Sequence, residues 1–211
     1  MASSSNTARV RAGASSPGAL ASSRANAVIA TTGAVIGALA VSFGPFISLR
    51  PNRVVSGETA SALASFGTWG WALLGIWLAV AVLARASAGR NGEPRSTVPL
   101  ARGLLGTAAL GIVLARTGVA AAEFAASSGP AARTSFGWSF YLMLFALFLT
   151  QYAASADAVG GVARALLAWS LPATLLALAA SGILAELGIV REWMLARDTF
   201  VRALGEHLSY A

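Results

Sequence analysis

The sequence predicts an all-α integral membrane protein: about five transmembrane helices followed by an amphipathic helix at the bilayer surface. Three observations lead to this. Of 211 residues, 56% are hydrophobic and 11% charged, whereas an ordinary soluble domain is about 25% charged. The mean hydropathy is +0.70. The apolar residues fall in long runs with the charges confined to short segments between them, which leaves no polar surface to cover a soluble core.

Taken in order, Met1 to Ala25 is rich in Ser, Ala and Gly, has no apolar period and is expected to be a disordered tail over residues 1–25. Ala38-Leu39-Ala40 resembles a signal-peptide cleavage site. The apolar run 27–47 nevertheless has the length of a full span, about 20 residues, where a signal peptide needs about 7 to 15. It reads as an uncleaved first helix, with Gly33 and Gly37 forming a GxxxG that lets a neighbour approach. Arg50-Pro51-Asn52-Arg53 opens a polar loop, and a second span is expected over 64–84. The next connector is the most basic, with Arg85, Arg90, Arg95 and Arg102 against Glu93.

The third span is expected over 103–125. Gly103 to Ala115 is too short to cross about 30 Å at 1.5 Å per residue, so the span must include Arg116. A fourth span is expected over 136–154, a short loop follows with Asp157, Gly160, Gly161 and Arg164, and a fifth covers 165–187 with a kink at Pro172. The three-part division is therefore a tail 1–25, a bundle 26–187 and a terminal helix 188–211.

In that terminal helix, Val190, Trp193, Met194, Phe200, Val201, Leu204 and Leu208 share one face at 3.6 residues per turn. Arg191, Glu192, Asp198, Arg202 and Glu206 occupy the other, while Arg197 falls on the apolar side. Such a helix suits the bilayer interface, anchored by Trp193, Phe200, Leu204 and Leu208. Five spans place the two ends of the chain on opposite sides. Arginines are nearly balanced between the sides, but Arg191, Arg197 and Arg202 are offset by acids and Arg116 lies within a span. The remaining bias places the N-terminus inside and the terminal helix on the outer face.

Few residues suggest chemistry. Arg116 and Glu123 lie two turns apart on one face, and are candidate intramembrane charges; the competing reading has Arg116 snorkelling to the headgroups with Glu123 in water. Trp69, Trp71, Trp77, Trp138, Phe140, Tyr141, Tyr152 and Trp169 fit interfacial belts better than a cation cage. A lone His207, with no cysteine, makes no metal site, and no cofactor is expected. There is no P-loop, Gly-x-Ser-x-Gly, HExxH or dinucleotide fingerprint, hence no catalytic residue and no enzyme. All 15 basic residues are arginine, giving a net charge of +7. Because they are dispersed among membrane loops, membrane lipids are the expected partner and nucleic acid is not.

From Thr134 onward, an aromatic-rich span (WSFYLMLFALFLTQY) is followed by a Leu/Ala-rich span and then Arg191-Glu192-Trp193, Arg197-Asp198, Phe200 and Leu204-Gly205-Glu206-His207-Leu208. This order resembles the N-terminal membrane region of permease subunits of binding-protein-dependent ABC importers, of the glycine betaine, choline or osmoprotectant type. The resemblance covers mainly residues 134–211. It implies a bacterial inner (cytoplasmic) membrane location, with a permease core, an ATPase subunit and a substrate-binding protein as partners. It also implies that the core, with its ATPase-docking loop, would begin near Ala211. The chain is then expected to be either part of a permease or a free-standing module descended from one. The first reading makes it a non-catalytic scaffold for import of small compatible solutes. The second makes it a structural or regulatory membrane protein whose terminal helix binds lipid or a partner.

Overall fold

A computed structural model describes residues 17–52, 54–88, 97–129 and 131–209. Among them the chain forms α1 (Pro17–Ser42), β1 (Ile47–Arg50), β2 (Glu58–Ala60), α2 (Ala62–Phe66), α3 (Thr68–Ala88), α4 (Thr97–Ser128), β3 (Arg133–Phe136), α5 (Trp138–Asp157), α6 (Gly161–Ala180) and α7 (Gly188–Ser209). Five of these helices, α1, α3, α4, α5 and α6, are long and apolar enough to cross a membrane. The expected all-α membrane bundle is the fold found.

The helix ends differ from the sequence reading for identifiable reasons. Residues 1–16 of the expected tail lie outside the described residues, as do Arg53, the basic loop 89–96, Pro130 and Tyr210–Ala211. From Pro17 to Ala25, however, the chain is helical, with Pro17 at the first position, where its missing N–H has no helical partner to lose. The first helix stops at Ser42, short of Ile47, because Gly44 (φ +81°) and Pro45 turn the chain into β1. α4 begins at Thr97 and so takes in Arg102, which the sequence reading left in a loop. α6 starts at Gly161, contains Arg164 and runs unbroken through Pro172 to Ala180. It ends well before the expected Leu187, since Gly182 (φ +72°) supplies the left-handed residue that closes it.

Four of the spans form the core: α1 packs against α3 and α5, and α4 against α3 and α5, with α6 laid outside on α4. Alternate spans run in opposite directions. Small residues set the closest approaches. A Cβ built at Gly37 would run into the ring of Trp77, and one at Gly33 would lie 2.9 Å from the Ala146 carbonyl, so the two glycines of the GxxxG serve two different neighbours, α3 and α5. Trp77, Leu73 and Val80 on α3, Val113 on α4 and Met143 on α5 fill the centre with no exposure.

The segments read as polar loops meet at one end of the bundle in a three-stranded antiparallel sheet of order β2-β1-β3. Ile47 pairs with Ala60 on one side and Phe136 on the other, and Arg50 lies opposite Arg133. Phe46, fully buried beneath it, meets Phe66 and Phe140 edge-on at 5.9 and 6.0 Å. The Gly137 N–H donates to the Phe46 carbonyl at 2.8 Å, and Ser139 Oγ to that of Phe43 at 2.9 Å. The end of α1 and the start of α5 are thereby stitched together. At the opposite end lie the start of α1, α4 and α6 and the ends of α3 and α5.

Candidate functional site

That opposite end holds the polar centre of the molecule. Arg102, in the second turn of α4, is completely buried. Its Nη2 donates to Asp157 Oδ2 at 3.1 Å, and Asn26 Nδ2 from α1 donates to Oδ1 of the same carboxylate at 2.6 Å. One carboxylate thus gathers three spans. Asp157 is the last residue of α5, where exposed carbonyls and the helix dipole disfavour a negative charge. The guanidinium and the amide offset this, and they replace water that a side chain only 12% exposed has largely lost. Among the described residues, Arg102 Nε and Nη1 have no hydrogen-bond partner, so the cation depends heavily on this one acid.

A second polar chain starts one turn deeper. Gln151 Nε2 donates to Thr107 Oγ1 at 2.6 Å and to the Gly103 carbonyl at 3.0 Å. The Thr107 hydroxyl in turn lies 3.0 Å from that of Ser170 on α6. α4, α5 and α6 are therefore linked inside the bundle by neutral hydrogen bonds, and α1, α4 and α5 at its end by a charged one. None of this was read from the sequence, which placed Arg102 and Asp157 in separate loops. The available signal was that Asn26, Arg102 and Asp157 sit at span ends on the same side, with charges of opposite sign.

The residues singled out from sequence are not brought together. Arg116 lies about 21 Å beyond Arg102 along α4 at 1.5 Å per residue, and Glu123 about 10 Å further, exposed. Among the described residues no ion pair joins them, and Arg116 Nε is buried without a partner. Trp193, Phe200, Leu204 and Leu208 are all exposed along α7, on which no residue is buried. Trp193 and Phe200 do touch, edge-on with centroids 5.4 Å apart. Near the start of α7, Arg133 on β3 pairs with Glu192 at 3.3 Å, Arg191 pairs with Glu186 at 3.4 Å, and Arg191 Nη1 donates to the Ala132 carbonyl at 3.2 Å. His207 is exposed near its end. Of the aromatics, Trp69, Trp71 and Trp138 sit at the sheet end, as a belt requires, whereas Trp77 and Phe140 are buried in the core. Trp169 departs from the belt altogether, lying in the middle of α6.

Among the described residues, the polar groups inside this bundle of apolar spans join the helices to one another. Residues 24–190 match the family described as "ABC transporter permease YehY, N-terminal domain". The chain belongs to that family, and is accordingly a multi-pass membrane component of a transport system. No curated protein and no solved structure matches it.

Proposed function

We propose that the chain is the membrane-embedded, non-catalytic part of an ABC import system for small compatible solutes of the quaternary-amine or osmoprotectant type, scaffolding a permease core. The match over residues 24–190 to a permease N-terminal domain carries this reading. The substrate class is supported by the resemblance of the Arg191-to-Leu208 lead-in to permeases of that type. In this reading the membrane is the bacterial inner one, the start of α1 faces the cytoplasm, and the sheet and α7 face outward. Trp193, Phe200, Leu204 and Leu208 seat α7 at the lipid headgroups, fixing the depth and angle at which the next span enters. Arg116 and Glu123 belong to the outer half of α4, with Arg116 reaching to the headgroups.

The test is transport and association in the host. Deleting the coding region is expected to abolish salt-stimulated uptake of radiolabelled glycine betaine, and restoring it to recover uptake. A tagged copy is expected to bring down an ATPase and a substrate-binding protein. Unchanged uptake of glycine betaine and choline, with no ATPase recovered, would leave the second reading: a structural or regulatory membrane protein whose exposed terminal helix binds lipid or a partner.

A further inference from the structure

The bundle's own cover runs out along α6. In this helix 11% of the most apolar window is buried, against 28% to 50% in the other four spans. Its buried residues, Ala163 and Leu167, lie in its first two turns, and from Leu171 to Ala180 no residue is buried. A lipid-facing helix can tolerate this, since its side chains are apolar, but two groups on α6 are not.

Trp169 is 69% exposed and makes no hydrogen bond or ring contact among the described residues. It lies about 12 Å from the start of a helix about 30 Å long, near the middle of an apolar span. There its indole N–H has no acceptor, whereas tryptophans that face lipid sit at the headgroups. Beside it, the carbonyl of Ala168 lacks its ordinary helical donor, because Pro172 has no N–H. An indole donor with no partner among the described residues and a carbonyl that has lost its ordinary helical donor are therefore adjacent, and a helix packed on this face can satisfy both. The residues around them, Ala165, Ala168 and Ala173, are exposed and small, so a second helix can approach closely.

We propose that this face of α6, centred on Trp169, is the docking surface for a transmembrane helix of the permease core, which supplies an acceptor to the Trp169 Nε1–H. The inference rests on the functional reading above. The core, and not a second copy of this chain, is the occupant because burial declines toward the end of the matched region at residue 190. The family itself is described as the N-terminal domain of a permease, so the rest of the permease adjoins this end.

The experiment places a benzophenone amino acid at Leu166, one turn from Trp169 and half exposed, in the full importer in host membranes. Illumination is expected to give adducts that peptide mass spectrometry maps to core spans. The same probe at Val28, on the exposed face of α1, is expected to give none. Trp169→Phe, which keeps the ring and loses the N–H, is expected to lower the adduct yield about threefold, the size of a typical interhelical hydrogen bond in a membrane. Lipid adducts alone at Leu166, or adducts to a second copy, would overturn the proposal. If the ATPase still co-purifies in that case, the docking inference fails by itself. If neither ATPase nor core is recovered, the functional reading fails with it.

Discussion

At the scale of the residue, Arg102–Asp157 is the most deeply buried ion pair among the described residues. Removing one partner of a buried pair leaves an uncompensated charge and destabilises a protein by about 3 to 5 kcal/mol. We expect Asp157→Asn, which strands Arg102 with half its acceptor, to lower the thermal midpoint of the detergent-solubilised protein, and Arg102→Leu to be milder because an apolar residue replaces the buried cation. The exchange Arg102→Asp with Asp157→Arg should recover part of the loss. Equal destabilisation by Asp157→Asn and by the exchange would show that the pair is not coupled. Arg116 predicts the reverse: Arg116→Leu is expected to insert as well as the parent, or better. Loss of insertion or of complex assembly, read by membrane fractionation, would show that Arg116 has a partner within the bilayer.

Among the elements, α1 is the one whose sequence is least free. Gly37→Ala puts a methyl against the ring of the fully buried Trp77 and should cost about 1 to 3 kcal/mol, the range for an overpacked core. Gly75→Ala in α3, where a Cβ meets nothing within 4 Å, should be neutral or slightly stabilising. Similar thermal midpoints for the two variants would refute this account of the helix contact. For α7 the expected outcome is that Phe200→Asp releases the helix from the bilayer and exposes its Arg197 to trypsin; unchanged protection would mean that something other than lipid covers it. The spans were legible because 20-residue apolar runs have no other explanation. The strands were not, because stretches of three or four residues such as Ile47-Ser48-Leu49-Arg50 alternate too briefly to stand out from a loop. Asp157 was hidden for a related reason: a charge at a span end reads as solvated until the fold folds it inward.

For the whole molecule, two ends of different construction are joined by five spans. The sheet end is held by backbone pairing, and the other by side chains that meet at one carboxylate. Their placement relative to the membrane can be tested directly, since the chain contains no cysteine. We expect a cysteine at Glu58 on β2 to react with an impermeant maleimide added to intact spheroplasts, and one at Ala86 near the end of α3 to react only after permeabilisation. Both positions are exposed. The opposite pattern would invert the proposed topology.

The sheet also orders events in time. Its central strand, β1, leaves the ribosome long before β3, and α3 and α4 must be threaded between them. Until α4 has crossed, one edge of β1 stays unpaired and the Phe46 carbonyl lacks the Gly137 N–H. The fourth span therefore cannot take its final seat against α1 at once, and the cap closes late, on the far side of the membrane from the ribosome in the proposed orientation. A nascent chain arrested before residue 133 is expected to leave Ser48 open to cysteine labelling, although that position is only 7% exposed once the fold is complete.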